Sequence, residues 1–120
     1  MFSLDGGVKY WLYNKPVDMR KSFNGLSGIV TNVMCASLRS GDVYIFMNAS
    51  RNMLKMLRRE EGGLVLYALR LDMGRMKPAI TSSDEDVISS GISYEDMIKM
   101  VRSALESPYV RRIRMLSKSL

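Results

Sequence analysis

The chain of 120 residues contains no histidine and one cysteine, Cys35. These shortages exclude an intrachain disulfide and a zinc site of the usual Cys and His kind. They also remove the usual base of a nucleophilic serine, so that only a lysine could activate one. We therefore expect no metal and no cofactor, and we expect Cys35 to be a small buried residue on the first helix.

The sequence also lacks any run near the roughly 20 apolar residues that a membrane-spanning helix needs. Its first residues, MFSLDGG, show neither the basic segment nor the apolar stretch of a secretion signal. With 47% hydrophobic and 25% charged residues, the composition is typical of a soluble globular protein. We therefore expect a cytoplasmic protein without a membrane partner or a small-molecule substrate.

Carboxylates suited to metal-assisted phosphoryl transfer are scattered along the chain. A metal site for this reaction would have to use Asp18, Asp42 and Asp72, which are predicted to lie in a helix cap, a turn and a strand end. No Gly-Lys-Ser or Gly-Lys-Thr sequence occurs, so a glycine-rich phosphate loop is excluded. We predict that the protein is not an enzyme.

The charges, in contrast, are segregated. Residues 1–77 carry twelve basic and six acidic side chains, residues 78–107 carry two and six, and residues 108–120 carry four and none. The whole chain has a net charge of +6. A basic body with a basic tail suits a polyanionic partner, although the acidic stretch could fold over a basic surface and mask it.

Residues 18–30, DMRKSFNGLSGIV, combine a helix start with cations that helix electrostatics disfavours. Asp18 is the predicted N-cap, and apolar residues then recur at helical spacing, which predicts one helix over residues 19–38. Arg20 and Lys21 would lie in its first turn, where unpaired amides carry partial positive charge. A bound phosphate or carboxylate would reverse that cost. Alternatively, both side chains extend into water or pair with a nearby acid.

Four other segments are candidates for strands. Residues 8–13 are rich in aromatic side chains, and residues 42–47 carry apolar side chains on both faces, as a central strand does. Residues 53–59 fit a short helix or a strand, with helix favoured locally, while residues 64–71 follow a Gly-Gly turn.

The C-terminal part begins with a capping box. Ser93 and the acidic residues that follow it predict a helix over residues 94–106, which ends before a proline. Residues 109–116 fit a strand or a frayed helix, and residues 117–120 are predicted to be disordered.

Three separated blocks resemble a known family. They are residues 18–30, residues 40–48 (SGDVYIFMN) and residues 64–71 (LVLYALRL). In order and spacing they are similar to the small TnpB-type accessory proteins of bacterial insertion sequences of the sixty-six group, over about residues 8–77. These proteins are distinct from the RNA-guided nucleases that share the TnpB label. The resemblance implies that residues 53–59 form the middle strand of an antiparallel meander.

The expected fold is therefore α+β. A small antiparallel sheet, made of the N-terminal strand and a three-strand meander, packs on one long helix, and a C-terminal helix follows. We divide the chain into an α+β core with a basic surface (1–77), an acidic connector (78–92) and a C-terminal helix with a basic tail (93–120).

The resemblance implies a non-catalytic accessory protein in DNA transposition, with the transposase of the same element, element DNA or both as partners. Direct contact with DNA is our inference from charge. One alternative is a module that docks on the transposase through the acidic segment and last helix without touching nucleic acid, and another is a small metal-dependent nuclease. The side chains predicted to bind nucleic-acid phosphates are Arg20, Lys21, Arg51, Lys55, Arg58, Arg59, Arg70, Arg75 and Lys77.

Overall fold

Five strands form one mixed sheet in the computed structural model, which describes residues 4–79 and 86–106. The order across the sheet is β4-β3-β2-β1-β5. The strands are β1 Tyr10–Tyr13, β2 Val43–Met47, β3 Met53–Glu60, β4 Gly63–Arg70 and β5 Ser89–Ile92.

Short helices pack against this sheet. Helix α1 spans Phe23–Gly28 and continues as a π-helical segment over Ile29–Val33. Helix α2 spans Tyr94–Arg102 and ends in a 3-10 turn over Ser103–Glu106, while another 3-10 turn, Leu38–Ser40, precedes β2. No helix of the described residues is long and apolar enough to cross a membrane.

Strand β2 lies at the centre of the sheet, and all five of its residues are buried. It pairs with β1 in parallel and with β3 in antiparallel orientation. The predicted central strand with burial on both faces is therefore confirmed. Its unbroken apolar run is typical of a strand that is covered from both sides.

The antiparallel meander of β2, β3 and β4 is also confirmed. All eight residues of β3 pair with β4, so the strand implied by the resemblance is right and the local helix interpretation is wrong. The β3–β4 turn consists of Glu61 and Gly62, and Gly62 has a φ of 89°, a left-handed value that glycine adopts without a steric cost.

The sheet differs from the expected one in two respects. It is mixed rather than antiparallel, because β1 pairs with β2 in parallel. It also has a fifth strand, since β5 pairs with β1 in antiparallel orientation. Strand β5 comes from the segment 78–92 and has the sequence SSGI, which carries little of the β-branched or aromatic signal that predicts a strand.

The predicted long helix over residues 19–38 is wrong. Helix α1 begins at Phe23 after the N-cap Ser22, so Asp18 caps no helix. Helix α1 contains two glycines and is followed by β-branched residues. The helix is short because both residue types lower helix propensity. Cys35 ends the helical region with a φ of 53° and is exposed rather than buried.

The two faces of the sheet carry separate hydrophobic clusters. On one face, Tyr44, Phe46 and Leu57 pack with Leu26 and Val30 of the α1 region. On the other face, side chains of β1, β2 and β3 pack with two methionines of α2 and with Met76. Because each face of β2 has its own cover, the core has three layers.

The predicted N-cap of the C-terminal helix is confirmed, because Ser93 Oγ accepts a hydrogen bond of 3.0 Å from the Asp96 amide. The helix is shorter than expected, since α-helical geometry ends at Arg102 and a 3-10 turn completes the segment to Glu106. Our predictions for residues 109–116 and 117–120 lie outside the described residues.

The end of the helical region at Cys35 can be tested by substitution. Cys35→Gly should be more stable to unfolding than Cys35→Ala by about 0.5–1 kcal/mol, because glycine adopts the left-handed conformation without the steric cost that a Cβ imposes. Urea denaturation of the two variants measures the difference. If the helix continued to residue 38, the order would reverse, with glycine less stable by about 1 kcal/mol.

Candidate nucleic-acid interface

Most of the predicted phosphate-binding cations gather at one end of the sheet. Strands β1 and β2 run in parallel and finish there, and the antiparallel pairing brings the start of β3 and the finish of β4 to the same end. We term this region the basic end and define it by its cations, which are Lys15, Arg20, Lys21, Arg51, Lys55, Arg70, Arg75 and Lys77.

The turn between β2 and β3 is organised by Asn48. Its Oδ1 accepts hydrogen bonds of 3.1 Å from the amides of Asn52 and Met53, and its carbonyl oxygen accepts one of 3.1 Å from the Arg51 amide. Arg51 consequently has a φ of 54°, which is uncommon for a residue with a Cβ. Backbone strain of this kind often accompanies a functional side chain.

Backbone hydrogen bonds connect the segment after β4 to this turn. The Leu71 amide donates to the Asn52 carbonyl at 2.8 Å, and the Met76 amide donates to the Arg51 carbonyl at 2.7 Å. These bonds place Arg70 and Arg75 beside the turn. The Lys77 amide donates to Ser103 Oγ at 2.7 Å, which ties the segment to the end of α2.

An open cleft of about 250 Å³ lies where β1 and β2 end. Lys15 and Arg51 are the cations that line it, and both are exposed. Lys15 was not among the predicted phosphate-binding residues. Its position directly after β1 could have indicated a role in binding. That position becomes informative only when β1 and β2 are known to be parallel neighbours, because the carboxyl ends of such strands form a common site.

The expected anion site at a helix start is not formed. Arg20 and Lys21 precede α1 rather than occupying its first turn. Arg20 instead pairs with Asp18, with 2.7 Å between Nη2 and Oδ2, so the alternative of a nearby acid holds for this residue. The hydrogen bonds from Arg20 lower the pKa of Asp18 to about 2.

Lys21 and Lys55 approach each other from different elements. Lys55 Nζ donates a hydrogen bond of 2.8 Å to the Lys21 carbonyl oxygen. Lys55 and Arg59 share the α1 face of β3, as the strand prediction required. Within residues 4–79 and 86–106, the cations of the basic end other than Arg20 form no ion pair. An exposed carboxylate, Asp72, lies in the turn after β4.

Arg58 and Arg59 lie at the opposite end of the sheet. Along β3 they are roughly 17–20 Å from Met53, given a rise of about 3.3 Å per residue. Arg58 is held in the fold: its Nε donates to the Gly41 carbonyl at 3.1 Å, and its Nη1 lies 3.5 Å from Glu60 Oε1. The structure therefore does not bring these two arginines together with the other seven predicted cations.

Glu60 also accepts a hydrogen bond of 2.8 Å from the Tyr67 hydroxyl. Burial and this bond raise the pKa of Tyr67 to about 12. The arrangement of Arg58, Glu60 and Tyr67 stabilises the β3–β4 hairpin and leaves Arg58 poorly exposed for a ligand, since its side chain is 18% exposed.

The three aspartates considered for phosphoryl transfer occupy different surroundings. Asp18 pairs with Arg20, and Asp42 accepts a hydrogen bond of 3.0 Å from Trp11 Nε1 at the end of the sheet opposite the basic end. Asp72 is exposed after β4. Among the residues that the structure describes, no three Cys, Asp or Glu side chains gather in a group that could hold a metal ion.

The fold and the basic end thus define a small mixed α/β protein in which cations line one end of the sheet. Its sequence matches the profile of the IS66 Orf2-like proteins over residues 8–102, and the chain belongs to this family. The family, which was expected from the three sequence blocks, implies an accessory role in transposition. It is not a known catalytic family.

Two curated relatives come from Sinorhizobium fredii. The uncharacterized protein y4jC is 26% identical over 69 residues, which are 58% of this chain and 59% of the relative. The uncharacterized protein y4hO is 31% identical over 68 residues, 57% of this chain and 59% of the relative. The match therefore covers about three fifths of each relative's own length. No solved structure matches the chain.

The Arg20–Asp18 pair predicts an acidic titration. Asp18 should titrate with a pKa of about 2 instead of 3.8, as measured by NMR of its side-chain carboxyl carbon. Because the pKa is lower in the folded protein, the contribution of the pair to stability is present above about pH 4 and is lost as the pH falls toward 2.

Arg20→Gln should raise the pKa of Asp18 from about 2 toward 3.8, because the largest cause of the lowering, the Arg20 side chain, is removed while the Arg20 backbone amide still donates to Oδ1. Lys21→Gln is the matched control, because the Lys21 side chain makes no hydrogen bond to the Asp18 carboxylate and affects it only through its charge, so this variant should change the pKa much less. Equal effects of the two substitutions would show that the pair is absent.

Proposed function

We propose that this transposition accessory protein binds the phosphate backbone of nucleic acid through its basic end, largely without regard to sequence. The observation that carries the proposal is the set of cations of the basic end, which apart from Arg20 form no ion pair among the described residues, around the cleft of Lys15 and Arg51. The direct partner is then element DNA, held for the transposase that performs the chemistry.

Some polar side chains near the cleft form hydrogen bonds within the protein, and others are free to bind a ligand. Both ends of the Asn48 side chain bond to the β2–β3 turn, and Asn14 Nδ2 donates to the Val87 carbonyl at 2.7 Å. These amides hold the walls of the cleft. Lys15 and Arg51 remain available for an anion, and a guanidinium suits phosphate because it presents two parallel donors.

The width of the basic end suits a duplex. Four neighbouring strands, β1 to β4, contribute to it, and at about 4.8 Å between strands they span roughly 15 Å. B-DNA carries one negative charge for about every 1.7 Å of its axis, counting both strands. A surface of this width faces about nine phosphates, of which roughly half lie on the near side, so the width alone accounts for about four or five contacts.

Contact through phosphates alone also fits an accessory role. Backbone contacts fix the position of a protein on the duplex but carry no sequence information, and recognition of the element ends then falls to the transposase. The scattered surroundings of Asp18, Asp42 and Asp72 support a division of labour in which this chain positions DNA and does not cleave it.

The proposal predicts a strong dependence on salt. With about four to six phosphate contacts, log affinity should fall against log salt with a slope of roughly −4 to −5. In the variant Lys15→Ala/Arg51→Gly, the slope should weaken by about two. Glycine at position 51 also relieves the left-handed backbone strain, so any loss of binding is not a loss of stability.

The matched control is Lys9→Ala/Arg39→Ala, which removes the same charge from the opposite end of the sheet and should leave the slope unchanged. Binding of a labelled duplex is measured by fluorescence anisotropy across a salt series, with a scrambled duplex of equal length. The absence of binding at low salt, or equal slopes for both double variants, would overturn the proposal. Co-purification with the transposase without DNA would then favour the protein-docking alternative.

A further inference from the structure

Strand β4 is an open edge of the sheet in the described part of the chain. It has eight residues, GLVLYALR, and pairs on one side with β3. The other edge, β5, has four residues. Proteins usually protect an edge strand with proline, a central charge, a bulge or short length, since its unpaired backbone groups otherwise accept another strand. Strand β4 has no proline, and its only charge, Arg70, is terminal.

The open backbone groups of β4 can be assigned from the hairpin. Glu60 and Gly63 flank a two-residue turn, so they form a hydrogen-bonded pair, and such pairs alternate along the ladder. Gly63, Val65, Tyr67 and Leu69 therefore direct their amides and carbonyls toward β3. Leu64, Leu66, Ala68 and Arg70 direct theirs away from the sheet.

These outward groups are self-complementary. A twofold axis perpendicular to the sheet at Leu66 places Leu64 opposite Ala68 of a second copy in antiparallel pairing. Arg70 then lies opposite Gly62 of that copy, one residue from Glu61. The two ends of the strand thus present opposite charges to each other, while apolar residues lie between them.

We propose that β4 pairs with β4 of a second copy of this chain, which joins the two five-stranded sheets into one. The twofold axis keeps α1 of both copies on the same face of the joined sheet, and because the two β4 strands are antiparallel, the two basic ends point in opposite directions along the strands. If the basic end binds DNA as proposed above, one dimer can hold two separate duplex segments.

The test uses the full chain without DNA, so that its outcome is independent of nucleic-acid binding. Sedimentation velocity over a concentration series should show a dimer for the wild type. Ala68→Pro removes an outward amide that β3 does not use, and proline is tolerated at such edge positions. We expect this variant to fold and its dimer Kd to rise at least about tenfold. Ala68→Ser is the matched control and should dimerise like the wild type.

A charge exchange tests the register without proline. Arg70→Glu should weaken the dimer because it places two acidic residues together, and Glu61→Arg/Arg70→Glu should restore it. A monomeric wild type at all concentrations overturns the proposal, as does a folded Ala68→Pro variant that dimerises like the wild type. Arg70→Glu without any effect overturns the pairing centred on Leu66.

Discussion

The burial of β2 on both faces is the constraint on which the rest of this structure depends. Its five side chains are all buried, and each contributes roughly 1.5–3 kcal/mol when fully withdrawn from water. A strand of this kind needs a neighbour on each side and a cover on each face. Strands β1 and β3 supply the neighbours, the α1 region covers one face, and α2 with Met76 covers the other.

Strand β1 is one of these neighbours, and its parallel pairing with β2 determines the form of the first helical region. The chain must return across the sheet between residues 14 and 42 before β2 can begin. The connection holds Leu26 and Val30, both fully buried, against the face formed by Tyr44 and Phe46. The helical residues 23–33 make this contact.

The distribution of cations reflects two different physical roles. Arg58 bonds to a backbone carbonyl and to Glu60, so its charge stabilises the hairpin. Arg51 lies in a strained backbone conformation, and its backbone groups are satisfied by Asn48 and Met76 while its side chain lines an open cleft. The strained backbone thus lies where a charged side chain lines an open cleft, and strain of this kind is common at functional sites.

Local signals in the sequence determined several parts of this protein. The unbroken apolar run of residues 43–47 indicated the central strand, because burial on both faces leaves no alternation. The Gly-rich turn was compatible with a hairpin, but the local pattern of residues 53–59 favoured a helix and only the family resemblance implied β3. Ser93 indicated the start of α2 through its own hydrogen bond to Asp96. Family membership was also readable, since three separated blocks agree in sequence and spacing.

Only the tertiary structure decided which strands are neighbours, and the candidate site depends on that order. Alternation reports which faces of a strand are buried but not its partner, so neither the parallel pairing of β1 nor the strand SSGI was predictable. Lys15 and Arg51 are distant in the chain and meet because β1 and β2 end side by side. Arg58 and Arg59 are close in sequence to Arg51, yet the length of β3 carries them to the far end of the sheet. Charge is a property of composition, but a charged site requires side chains that converge, and convergence is set by strand order and register.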